Sequence, residues 1–223
     1  MKKLTAILFL MCLGMMSFAQ EATTTPDQNT NNDEIRTLFG KGKKATFGWF
    51  LGPNGGYTKF SSSDVSLAGL SAGLIINHNF TIGLTAYGIA NNPGLTYEKF
   101  IDGKDVRLEG GWGGLLIEYT LFPKAPVHVT FPVLIGGGQL AYHSVKEEYT
   151  QNGNEWDWNH ERLDSDKFFI VEPGVKAEVN IFRFMRFGAG VSYRYTPDLE
   201  LLNTSAGFIN NFTVSGSLKF GKF

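Results

Sequence analysis

Residues 167–196 read KFFIVEPGVKAEVNI, FRF, MRFGAGVSYRYT. In the first block Phe169, Val171, Val175, Ala177, Val179 and Ile181 fall on one parity. Ile170, Glu172, Gly174, Lys176, Glu178 and Asn180 fall on the other. The last block repeats the pattern. Met185, Phe187, Ala189, Val191, Tyr193 and Tyr195 alternate with Arg186, Gly188, Gly190, Ser192, Arg194 and Thr196. Alternation sustained over about a dozen residues means a long strand with one apolar and one polar face. The short FRF link makes the two blocks a hairpin.

Working outward, weaker versions of the pattern place strands near 46–60, 66–77, 80–90, 106–122, 127–143 and 208–222. That makes eight. The links after the second, fourth and sixth strands are short. Those after the third, fifth and seventh are longer (91–105, 144–166 and 197–207). Parity is ambiguous around 110–119, where a bulge near Gly110–Gly114 would reconcile the two halves.

An even strand count with short turns at one end and longer loops at the other marks an all-β, eight-stranded antiparallel up-and-down transmembrane β-barrel. Strands of 10–12 residues suit a tilted membrane crossing, whereas about 5–6 is usual in soluble sheets. Aromatic residues cluster at strand ends, among them Tyr119, Phe122, Phe182 and Phe184, as an interfacial girdle would have them. In such a barrel the apolar face meets lipid and the polar face fills the lumen. Gly69, Gly73, Gly83, Gly136, Gly138, Gly188 and Gly190 fall on lumen positions. The lumen charges Glu172, Lys176, Glu178, Arg186, Arg194 and Lys219 are expected to pair with one another, because an unpaired buried charge costs several kcal/mol.

The 223-residue chain carries 20 Lys+Arg against 21 Asp+Glu, a formal net charge of −1. That excludes a nucleic-acid binder built on a basic face. Cys12 is the only cysteine, so no disulfide framework exists. Residues 1–19 read as a cleaved signal peptide: Lys2 and Lys3, an apolar run from Leu4 to Met16, then Ser17-Phe18-Ala19. Residues 20–44 are a polar periplasmic tail, leaving 45–223 as the barrel. A one-turn helix around Ile35, Leu38 and Phe39 is an option for its end.

The loop 144–166 contains KEEYTQNGNEWDWNHER. Trp156 and Trp158 make it a candidate outer-loop contact for a surface ligand, since exposed aromatics mark binding sites. Glu155, Asp157 and Glu161 lack regular calcium-loop spacing. A lipid-modifying site would need a hydroxyl, an imidazole and a carboxylate together. His143, Ser144 and Glu147 are the one such grouping near the outer rim, but adjacent strand residues point to opposite faces. No catalytic residue, metal or cofactor is assigned. A soluble lipocalin-like barrel with an apolar ligand is the main alternative, because periodicity alone does not tell inside from outside.

The segments GGWGGLLIEY (110–119) and HVTFPVLIGGG (128–138), the Ala19–Gln20 cleavage site and Phe223 resemble the small outer-membrane barrels of Gram-negative bacteria, the OmpA/OmpX-like group, and Bacteroidetes-type outer-membrane barrel proteins. The resemblance covers about residues 35–223 and implies a non-enzymatic protein of the cell outer membrane, embedded in outer-membrane lipid. It also implies handling by periplasmic chaperones and the barrel-assembly machinery. One departure stands out: Phe212, Val214, Leu218 and Phe220 have the opposite parity to Phe223.

Overall fold

Long runs of alternating residues pair edge to edge until no edge is left. In the computed structural model, which describes residues 45–90, 95–144, 162–197, 199–205 and 207–223, nine strands form one antiparallel sheet. They are β1 (Phe47–Phe60), β2 (Ser63–Ile76), β3 (Phe80–Ile89), β4 (Thr96–Ile101), β5 (Lys104–Leu121), β6 (Val127–Ser144), β7 (Arg162–Phe182), β8 (Met185–Tyr193) and β9 (Phe212–Lys222). β3 pairs with β5, and β9 returns to β1. Eight strands therefore close a ring, with β4 outside it as a short flap on β5. Residues 1–44, where a signal peptide and a tail are expected, lie outside the described residues, as do Trp156 and Trp158.

Turn chemistry explains the connections. Asn77 and His78 both have positive φ (52° and 65°), the geometry of a tight hairpin between β2 and β3. Asp102 and Gly103 do the same between β4 and β5 (50° and 72°). The expected loop 91–105 thus contains a hairpin arm.

The two faces of the wall differ sharply. Leu51, Leu70, Leu84, Leu115, Ile135, Val175, Val191 and Val214 each point outward and are exposed, one from every ring strand. Leu70, Leu84 and Phe212 expose 62%, 66% and 66% of their surface. Charged residues on this face sit only toward the ends among the described residues, as with Lys59, Asp64 and Glu109 at the long-loop end and Lys222 at the short-turn end.

The lumen is layered. At the long-loop end its filling is apolar: Phe60, Val65, Leu108, Trp112, Leu140, Tyr142, Phe168 and Ile170 pack with Leu95, Leu199, Leu201 and Ile209 from the loops. Phe100 stacks on Tyr97 and meets Tyr142 at 5.0 and 5.3 Å between ring centroids. Polar groups fill the rest. A small second cluster of Phe50, Ile75 and Leu116 holds Phe223.

This layering settles the parity of β5. Val106, Leu108, Trp112, Leu116, Glu118 and Thr120 all face inward, and the register with β6 runs unbroken through 110–114. No bulge is present there, contrary to expectation. The alternation looked confused because the apolar cap puts apolar residues on both faces. Register shifts fall elsewhere, at Tyr142/His143 and Asn180/Phe182, and two ladders lapse at prolines. β1 and β9 skip Gly52–Pro53, and β6 and β7 skip Phe131–Pro132. Proline has no N–H to give a central ladder.

Gly136 faces the lumen where β5 and β6 nearly touch. A Cβ there would meet the Gly113 carbonyl oxygen at 2.1 Å and Gly114 Cα at 2.7 Å. Gly136→Val should lower stability by about 1–3 kcal/mol through overpacking. Gly216→Ala, where the nearest atom is 3.9 Å away, should be near neutral. Urea unfolding in detergent micelles compares the two.

Candidate functional site

Strand register brings the lumen charges to a few levels. Glu178 on β7 pairs laterally with His128 on β6 and with Gly188 on β8, and Gly188 in turn with Ser217 on β9. Gly188 has no side chain between them: a Cβ there would meet Ser217 Oγ at 2.8 Å and Glu178 Cγ at 3.2 Å. Through that gap the Lys219 ammonium reaches Glu178 Oε1 at 2.7 Å. The same Nζ donates to Glu118 Oε2 at 2.7 Å. In the ring order β5 stands opposite β9, so this second bond crosses the lumen. His128 Nε2 lies 3.2 Å from the other Glu178 oxygen. Phe50 supports the ammonium from below, with its ring centroid 4.7 Å from Nζ.

A second group sits nearer the cap. Arg194 Nε lies 3.3 Å from Glu172 Oε2, and its Nη2 donates to Thr213 Oγ1 at 2.9 Å. Ser192 Oγ donates to Glu172 Oε1 at 2.5 Å. The guanidinium is 4.1 Å from the Trp112 ring centroid, on the underside of the apolar cap. Asn54, Ser71 and Thr85 make a neutral hydrogen-bonded trio at about this depth.

Of the six residues expected in the lumen network, four enter these clusters. Lys176 and Arg186 point inward but form no direct ion pair among the described residues. Lys176 lines a small cavity of about 30 Å3 with Glu118, Glu172 and Lys219. Arg186 stacks on Phe223 at 3.9 Å. Phe223 therefore turns under the barrel rather than outward, which accounts for its parity. Glu118 and His128 were not among the expected members, and both are fully buried in the network.

The outer rim assembles differently from the enzyme alternative. His143 turns away from the lumen toward Glu109, 3.7 Å from its carboxylate, whereas Ser144 is buried on the inner face. Glu147 lies outside the described residues. So do Glu155, Asp157 and Glu161. Asp164 and Asp166, on the extended β7 arm, accept backbone N–H bonds from Leu202 and Glu200 at 2.8 and 2.7 Å. Asn203 donates to the Phe100 carbonyl at 3.3 Å. These bonds tie the loop after β8 to two neighbouring arms.

Lys219→Met removes the shared cation and leaves two buried carboxylates facing one another. Unfolding in micelles should show a loss of about 3–5 kcal/mol. Adding Glu118→Gln and Glu178→Gln to the same variant should restore most of it, because no buried charge is then stranded.

The chain matches no family model and no curated protein. Among solved structures it is similar to Neisserial surface protein A, with 15% identity, a TM-score of 0.52, and coverage of 81% of this chain and 100% of that one. A second similar structure is Ail, the attachment invasion locus protein of Yersinia pestis, solved with the heparin analogue sucrose octasulfate. It shows 9% identity and a TM-score of 0.47 over 80% of this chain and 99% of that one. The first likeness and the chain's own closed ring of eight antiparallel strands give it the fold of the small transmembrane β-barrels.

Proposed function

We propose that this chain is a non-enzymatic outer-membrane protein of the OmpA/OmpX-like kind. In this reading residues 1–19 are removed on export and 20–44 form a periplasmic tail. The short turns face the periplasm, and loop 144–166 with Trp156 and Trp158 meets a surface ligand. Periplasmic chaperones and the barrel-assembly machinery deliver it. The observation that carries the reading is the apolar belt, to which every ring strand contributes an exposed Leu, Ile or Val. A monomer in water rarely shows contiguous apolar patches beyond a few hundred Å2. Hydrocarbon is the solvent that suits such a wall.

The interior argues the same way. A lipocalin-like carrier needs an apolar cavity, whereas this lumen holds ion pairs around a space of about 30 Å3, room for about two water molecules. The apolar cap above Arg194 also favours a plugged barrel over a conducting one. The lumen charges then have a structural role. The separation of His143 from Ser144 weighs against a rim enzyme.

The test is to express the full chain in a Gram-negative host and wash the membranes with carbonate. Samples are then run unboiled and boiled in detergent. The protein should stay with the membrane and change mobility on boiling. Release into the wash with no mobility change would reverse the inside–outside assignment. His143→Ala should leave the lipid composition of the host unchanged.

A further inference from the structure

The ring closes where β1 meets β9, and the lipid-facing surface changes there too. Leu51 pairs with Phe220 and Asn54 with Ser217, but Gly52 and Pro53 between them are skipped. Over this break lies a shallow apolar groove of about 590 Å3, walled by Trp49, Leu51, Leu70, Phe184 and Phe220. Gly52, Pro53 and Gly221 complete its lining, and these smaller residues leave a recess between the larger side chains. Its size falls within the roughly 300–1,000 Å3 of small-molecule sites.

The lower edge of the groove is positively charged. The Gly221 N–H donates to the Phe184 carbonyl at 2.9 Å, which sets their chain neighbours Lys222 and Arg183 at one edge. Both are exposed. Lys124 adds a third exposed cation at this end of the barrel. Among the described residues no Asp or Glu side chain is exposed at this end, because Glu118 and Glu178 are turned into the lumen. The long-loop end differs, mixing signs as in the Lys59–Asp64 pair. Trp49 pairs with Lys222 in the ladder, so an amphipathic ring stands where the cations meet the apolar wall, as at a headgroup boundary.

We propose that this groove is a binding site for an anionic phosphoglyceride, one acyl chain lying against Trp49, Leu70 and Phe220 and the phosphate held by Arg183 and Lys222. The inference rests on the membrane reading above. Charge selects this occupant over two others. A twofold partner would bring a second Arg183 and Lys222 to the same edge. The chain's own Ile35, Leu38 and Phe39 are followed by Lys41, Lys43 and Lys44, which would add positive charge to it.

The experiment uses the full chain with Trp112→Phe, Trp156→Phe and Trp158→Phe, so that Trp49 is the sole tryptophan. It is reconstituted in phosphatidylcholine vesicles containing a minor fraction of brominated phosphatidylglycerol or of brominated phosphatidylcholine. Brominated phosphatidylglycerol should quench Trp49 more strongly. Arg183→Gln and Lys222→Gln should each weaken that preference roughly 5-fold, with heat-modifiable mobility retained. Native mass spectrometry of the detergent-extracted wild type is the second readout, and should show a retained phosphoglyceride that the double Gln variant loses. Equal quenching by both lipids overturns the proposal. So does stronger quenching when Ile35, Leu38 and Phe39 become Ser, or protection of Trp49 in a dimer. Failure to insert into vesicles at all would instead sink the membrane reading beneath it.

Discussion

A single ammonium group holds opposite walls of this barrel together. Lys219 leaves β9 and reaches one carboxylate on β7 and another on the far wall, on β5. An eight-stranded interior is just wide enough for side chains to fill, so such a span is within reach of one lysine. The rest follows from that reach. Gly188 must be bare for the ammonium to pass, and Glu178 must share its second oxygen with His128. Two carboxylates at one level would repel strongly without the cation between them.

The cap makes the same pairs stronger. Above Arg194 the lumen is closed by Trp112, Phe60 and the loop residues Leu199 and Ile209. Keeping water away lowers the local dielectric, which strengthens a satisfied pair and penalises an unsatisfied one. The molecule thus has three environments along one radius or axis: hydrocarbon-like outside, ionic in the middle of the lumen, and an ordinary protein core under the loops. Asp164 and Asp166 extend that core by fastening the loop after β8 to the β7 arm.

The sequence is legible where the wall separates two unlike solvents. β7 and β8 divide apolar lipid-facing residues from charged lumen residues, so their parity is plain. The pattern is lost where both sides are apolar. Trp112 and Leu116 point inward while Leu115 and Ile117 take the opposite parity, which erases the period-two signal on β5 and hides Glu118. His128 is hidden too, because its buried partner Glu178 stands on the next strand, β7, and only the register brings the two together. The β4 flap had a readable signal in Asp102-Gly103, a favoured hairpin dipeptide, but the polar residues around it resembled an ordinary loop. Phe223 turns inward onto Arg186 of the neighbouring strand β8, a contact that its odd parity in the sequence does not by itself specify.

The β1–β9 seam has a consequence for how such a wall comes into being. Trp49 and Lys222 are neighbours in the ladder though nearly the whole barrel sequence separates them. Contacts of that span form late, since the loop entropy must be met before they return anything. Until β9 arrives, β8 and β1 both present open edges, and an open edge is a template for foreign strands. The nascent barrel is therefore an all-or-nothing object. Its hairpins can form early and in any order, but protection from aggregation comes only with the last one.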